Sequence, residues 1–91
     1  MNILITTEHR GVFLAQTTEK TDLTQKHIEH LRRVKMVVKW RNGDGLPGMA
    51  KYGPTDNCKI SSEADAPIIR DVTAVWTVTD EAAAKIWKDN E

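Results

Sequence analysis

Cysteine, aromatic side chains and long apolar runs are all scarce in this sequence of 91 residues. The single cysteine, Cys58, has no partner for a disulfide within the chain, which favours a reducing, cytoplasmic compartment. No run approaches the roughly 18 apolar residues of a membrane-spanning helix, so we expect no membrane association. The start, Met1–Ile5, has no basic residue and leads into polar Thr6–Glu8, so we expect no signal peptide.

Net charge is also lacking, because 13 Lys and Arg balance 13 Asp and Glu. A disordered chain has a larger net charge and a lower apolar content than the 40% found here. We therefore expect residues 1–91 to form one small domain.

The balanced charge is unevenly distributed along the chain. Residues 1–53 hold nine basic and five acidic residues, a net of +4, and residues 54–91 hold four and eight, a net of −4. One interpretation is internal pairing of the two parts, which the pI near 6.8 favours. The other is a surface that attracts an anion. Within the basic stretch Glu29 is the sole acidic residue among these cations: Lys26, Arg32, Arg33, Lys35, Lys39 and Arg41.

The hydrophobic pattern predicts a small α+β domain. Short apolar or alternating segments, separated by turn residues, indicate a mainly antiparallel sheet of about four to five strands, with a hairpin loop at Glu8–Gly11. The predicted strands are Asn2–Thr7, Val12–Gln16, Val34–Arg41, Cys58–Ser61 and Ile68–Val78.

Helix signals are strongest at the end of the chain. Thr79 is a typical N-cap, and acidic residues at the start and lysines at the end of Asp80–Lys88 complement a helix dipole. A single helical turn is expected at Met49–Tyr52, after the glycine-rich loop. Residues 25–33 are ambiguous, because helical spacing and the capping-box pair Asp22 and Gln25 lack a strong helix-forming run.

The segment Val34–Arg41 carries the central prediction about function. Val34, Met36, Val38 and Trp40 alternate onto one face, which we expect to be buried, with Trp40 in the core. The opposite face then carries the cations in solvent. The candidate anion-binding residues are Arg32, Arg33, Lys35, Lys39 and Arg41.

Three other patterns do not support chemistry. Gly43, Gly45 and Gly48 match G-x-G-x-x-G, but too few residues follow for the helix of a dinucleotide site. His27, Glu29, His30 and Cys58 lack the spacing of a zinc site, so we expect no metal. Cys58 and Ser61 lack a catalytic signature, so we expect neither an enzyme nor a cofactor.

Short motifs distributed over most of the chain resemble a family of short, uncharacterised phage and prophage proteins. They are Thr6-Thr7…Gly11-Val12-Phe13, Leu31-Arg32-Arg33-Val34 before Trp40, Leu46…Ala50…Gly53, Cys58-Lys59-Ile60-Ser61 and Thr79-Asp80-Glu81-Ala82-Ala83. The sequence departs from that family at Lys35–Val38, where relatives carry aromatics. The resemblance implies a strand at Lys26–Glu29 and expression inside an infected bacterium, and it implies no known activity.

These observations lead to a first hypothesis of a phage-encoded, non-enzymatic accessory protein. It would bind a host factor or a phosphate-bearing small molecule, for example to counter a defence signal. The alternatives are a structural or assembly protein that acts by protein contacts, and a weak nucleic-acid-binding protein. A thin core also suggests a homo-oligomer that buries Trp40, Trp76 or Trp87.

Overall fold

A five-stranded antiparallel sheet and two helices make up the computed structural model, which describes residues 1–8, 11–40, 45–56, 58–63 and 68–88. The strands are β1 (Asn2–Thr7), β2 (Val12–Gln16), β3 (Arg33–Lys39), β4 (Lys59–Ile60) and β5 (Val72–Thr77). The helices are α1 (Gly45–Tyr52) and α2 (Asp80–Trp87). The strand order is β4-β3-β2-β1-β5, with every neighbouring pair antiparallel. The α+β class, the open antiparallel sheet and the C-terminal helix are confirmed.

Apolar side chains cover both faces of the sheet. One cluster joins the two helices to the strands, with Leu4, Leu14 and Val37 beneath Met49 and Ile86. A second cluster lies on the opposite face and contains Ile3, Ile5, Ala15, Ile28, Val34 and Ile69. Because successive side chains of a strand point to opposite faces, β1 and β2 contribute to both clusters, which explains why their sequences are apolar throughout.

The segment between β2 and β3 covers the second face without a helix. The two capping-box residues form a local turn instead: Thr24 and Gln25 donate hydrogen bonds to the Asp22 carboxylate. These hydrogen bonds lower the pKa of Asp22 below its ordinary value, and the bond from the Thr24 hydroxyl has the largest effect. A helix over residues 25–33 is therefore wrong. The family resemblance implied a strand at residues 26–29. The structure instead has a single isolated antiparallel bridge there, between Ile28 and Ile69.

Predicted boundaries change elsewhere too: β3 is Arg33–Lys39 instead of Val34–Arg41, and β4 is Lys59–Ile60 instead of Cys58–Ser61. The helix α1 begins at Gly45, four residues before the expected single turn, because Pro47 is tolerated in the first turn of a helix. Strand β5 begins at Val72 rather than Ile68, because Asp71 has a positive φ of 56° that ends the extended conformation. The loop predicted at Asn42–Gly48 is wrong for residues 45–48, which belong to α1, and its residues 42–44 lie outside the described ranges.

Thr79 holds the two helices together at one end of α2. Its hydroxyl oxygen accepts a hydrogen bond of 3.2 Å from the Ala82 amide, as the N-cap prediction requires. The same hydroxyl donates to the Lys51 carbonyl of α1 at 2.6 Å. One side chain therefore caps α2 and satisfies a carbonyl in the last turn of α1.

We predict that Thr79→Ala lowers the free energy of unfolding by about 1–2 kcal/mol, because both the N-cap and the bond to α1 are lost. Urea unfolding followed by circular dichroism measures the change. Thr79→Ser retains the hydroxyl and serves as the control, with a smaller loss. Equal stability of the alanine variant and the wild type would contradict the role of this residue.

Candidate anion-binding cleft

Strand β3 is extended as predicted, with Val34 buried and Lys39 exposed as expected, but between them the burial of Lys35 to Val38 is the reverse of the prediction. Lys35 and Val37, on the face expected in solvent, are only 3% and 2% exposed. Met36, Val38 and Trp40, on the face expected in the core, are 44%, 52% and 37% exposed. The burial of each side chain depends on which elements pack on that face of the sheet. The apolar side of α2 packs on the face of Val37, whereas on the other face the cluster around Ile28 includes Val34 of β3 but neither Met36 nor Val38.

Lys35 is bound to the C-terminal end of α2. Its Nζ donates a buried hydrogen bond of 2.8 Å to the Ile86 carbonyl and lies 5.3 Å from the centre of the Trp87 ring. Carbonyls of the last helical turn have no partner within the helix and carry partial negative charge. The buried amine therefore satisfies one of them, and the indole face adds a cation–π contact.

Arg33 is also engaged within the molecule. Its Nε donates to Glu63 Oε1 at 2.8 Å, and its guanidinium carbon lies 4.5 Å from the centre of the Trp87 ring. Arg33 belongs to the basic part of the chain and Glu63 to the acidic part, so this pair follows the internal-pairing interpretation. Two of the five predicted anion-binding residues thus make contacts that maintain the fold.

The other three predicted residues do not form a platform with them in the part of the chain that the structure describes. Arg32 is exposed ahead of β3, where its amide donates to the Gln16 carbonyl. Lys39 is exposed opposite Lys59 in the pairing of β3 with β4. Arg41 lies outside the described residues.

A different group of cations lines a cleft at the end of α2. The cleft has a volume of about 450 Å³ and lies between β3, β4, the segment after α1 and the last turn of α2. Lys35, Lys85 and Lys88 line it together with Asp56, so among the described residues the charged lining side chains carry three positive charges and one negative, a formal +2. The other described lining residues are Pro54, Thr55, Cys58, Ile60 and Ile86. We call this site the lysine cleft.

A close approach of the two helices positions the cleft. Gly53 ends α1 with a positive φ of 87°, and its amide donates to the Met49 carbonyl. A Cβ atom at Gly53 would lie 3.2 Å from Ala82 Cα and 3.1 Å from Lys85 Cδ. Only glycine fits this turn without strain, and the turn brings Pro54–Asp56 beside the lysines of α2.

Sequence reasoning missed Lys85 and Lys88 as site residues. Their positions were explained by the helix dipole alone, although a spacing of three residues places both on one side of a helix. That spacing was the available signal. Lys35, which lines the cleft from β3, was predicted from the sequence as an anion ligand, and its neighbours in the cleft follow only from the packing of α2.

The histidines and the cysteine occupy separate places. His27 Nδ1 accepts a hydrogen bond from the Asp71 amide, and His30 lies 3.8 Å from Glu29. Cys58 is half-buried, with its Sγ 3.5 Å from the Thr55 hydroxyl. Within the described ranges, no three His, Cys, Asp or Glu residues are grouped so as to hold a metal ion. Over the same ranges, no helix has the length and apolar character to span a bilayer.

The open antiparallel sheet, with two helices on one face and an irregular segment on the other, defines a small α+β protein. The chain belongs to the family described as Domain of unknown function (DUF6948), whose model matches residues 1–86. No curated protein and no solved structure matches the chain. The resemblance to an uncharacterised family is thus confirmed as membership of a domain family without an assigned function.

We predict that Lys35→Met destabilises the protein by about 1–3 kcal/mol, because the buried Ile86 carbonyl loses a charged donor. Methionine retains an apolar chain of similar length, so the change reports on the amine. Chemical unfolding gives the magnitude. Lys39→Met is the matched control in the same strand, and its effect should stay within about 0.5 kcal/mol because Lys39 is exposed. Equal effects of the two substitutions would show that the bond to Ile86 contributes nothing.

Proposed function

We propose that this protein is a non-enzymatic binding protein that takes a small phosphate-bearing molecule in the lysine cleft. The observation that carries the proposal is a cleft of about 450 Å³ lined by the exposed Lys85 and Lys88, with the buried Lys35, already bonded to the Ile86 carbonyl, also among its lining residues. That volume falls within the range of small-molecule sites, about 300–1,000 Å³. Lysine binds phosphate as a point charge, and a formal charge of +2 suits a phosphate monoester better than a monovalent carboxylate.

The remainder of the lining supports a ligand with more than a phosphate group. Ile60, Ile86 and Pro54 provide apolar surface, and the Thr55 hydroxyl and Asp56 carboxylate provide polar groups. An apolar lining with a few polar groups is typical of sites that fix a ligand's orientation. A nucleotide fits this combination: its phosphate meets the amines, its base meets the apolar side chains, and Asp56 accepts from a hydroxyl or amino group.

The biological setting is part of the same proposal. The resemblance of the motifs to phage and prophage proteins suggests a protein made inside an infected bacterium. Binding of a phosphate-bearing host metabolite would then remove it from a defence pathway, without any chemical step by the protein.

Titration calorimetry with AMP and with inorganic phosphate tests the proposal at low ionic strength. We expect AMP to bind, and Lys88→Glu to weaken its binding at least tenfold, about 1.4 kcal/mol, because a cation of the cleft becomes an anion. Lys20→Glu is the matched control: it changes the net charge equally at an exposed residue that does not line the cleft. Circular dichroism checks that both variants fold.

Two results would overturn the proposal: no binding of either probe, or equal weakening by the two substitutions. The alternative functions predict different outcomes. A nucleic-acid-binding protein would bind an oligonucleotide with an affinity that falls steeply with salt concentration. A structural or assembly protein would bind neither nucleotide nor oligonucleotide.

A further inference from the structure

The two edge strands of the sheet differ in how they are protected from pairing with another chain. At one edge, β4 has only two residues, and one of them is the exposed Lys59. At the other edge, β5 has six residues, with neither a charged side chain nor a proline among them. Short length and charged side chains are devices that keep an edge strand from pairing. Because β5 has neither device, its outer edge is open to another strand.

Backbone groups of Val75 and Thr77 point away from the sheet. The Val78 amide donates to the Asn2 carbonyl of β1 at 2.9 Å, and the pairing with β1 continues in regular register from Thr77 to Ala74. Hydrogen-bonded and non-hydrogen-bonded pairs alternate along an antiparallel ladder, so the amides and carbonyls of Val75 and Thr77 face outward. Among the described residues, none hydrogen-bonds to these outward groups.

The chain's own cover of this edge ends at the first residue of β5. The Val72 amide donates to the Lys26 carbonyl at 2.9 Å, so the segment between β2 and β3 shields that end of the strand. The ladder with β1 is irregular beside it, between Thr6 and Thr7. The regular and unshielded part of the edge therefore comprises residues 74–77.

We propose that two copies of this chain associate by antiparallel pairing of their β5 strands about a twofold axis at Trp76. The outward groups are self-complementary in this arrangement. Val75 of each copy lies opposite Thr77 of the other, and each of these two pairs exchanges two hydrogen bonds. An axis at Val75 would instead pair Thr77 with Thr73, which lies in the irregular part of the ladder. The two five-stranded sheets become one continuous sheet.

The side chains of the edge suit a second copy of the same strand. Trp76 is half-buried on the helix side of the sheet, where it packs against the cluster that contains Leu4. At the axis it faces its own counterpart in a non-hydrogen-bonded pair, in which side chains approach closely and aromatic pairs are favourable. Since β5 is uncharged and the whole chain has a net charge of zero, neither opposes the approach of a second copy.

Sedimentation equilibrium over a range of protein concentrations tests the dimer on the full chain. We expect the mass to rise with concentration to twice the 10.3 kDa of one chain. Thr77→Pro removes an outward amide at an exposed residue and leaves the bonds to β1 in place, which edge strands tolerate. It should raise the dissociation constant of the dimer roughly tenfold or more, because one hydrogen bond is lost from each copy.

Two controls separate this interface from loss of fold and from the lysine cleft. Thr77→Val retains the amide and a β-branched side chain, so it should dimerise like the wild type, and circular dichroism checks that each variant folds. The cleft lies beside β3 and β4, and β5 is the opposite edge of the sheet. Lys88→Glu should therefore leave the dimer intact, so failure of one proposal leaves the other standing.

Amide hydrogen exchange gives a second readout that needs no variant. The amides of Val75 and Thr77 should gain protection as the protein concentration rises, because the second copy accepts their hydrogen bonds. The amide of Trp76 bonds to β1 and should be protected at every concentration, which makes it the internal reference.

Three outcomes would overturn the proposal. The first is a chain that stays monomeric at every concentration. If such a monomer protects Val75 and Thr77 only when a strand-forming peptide is added, the edge belongs to a different protein partner. The second is a dimer that Thr77→Pro leaves unchanged, which would place the contact elsewhere. The third is exchange of the Val75 and Thr77 amides at rates independent of protein concentration.

Discussion

The packing of α2 across β3 is the constraint on which the other features depend. Ile86 and Trp87 of α2 join Val37 in one cluster, and the helix ends where the Lys35 amine reaches the Ile86 carbonyl at 2.8 Å. The helix thereby buries Lys35 and Val37 on its side of the sheet. It also fixes the position of Lys88 and of the lysine cleft at the C-terminal end of the helix.

A single strand therefore contributes to two different surfaces. The side chains of β3 that point toward α2 include Lys35, which lines the cleft. Those that point away include Met36, which lies opposite Phe13 and is 44% exposed. The alternation of side chains along the first part of β3 thus places the proposed small-molecule site on one face of the sheet and the exposed Met36 on the other.

The accuracy of sequence reasoning differed between local and long-range features. Strands β1 and β2 were predicted with the bounds they have, because their β-branched and apolar residues flank a turn. The N-cap of α2 was also correct, because Thr79 and the acidic first turn are local signals. The segment around Gln25 failed as a helix because Asp22 forms a turn with its neighbours and His30 has a positive φ of 60°. The predicted anion-binding site was wrong in part because it depended on a long-range contact. The sequence of β3 has apolar residues on both faces, so alternation alone does not show which face α2 will cover.

By itself, the sequence determined the class of fold, most strands and the C-terminal helix, since spacing, turn residues and caps act over a few neighbouring positions. The tertiary structure decided which cations are internal and which are available. Arg33 contacts Glu63 and Trp87, and Lys35 binds a carbonyl at the end of α2. Each partner is 30 residues or more away in the sequence. A charged side chain is indistinguishable in the sequence whether it meets a carbonyl, an aromatic ring or water, because its environment is formed by residues that only folding brings beside it.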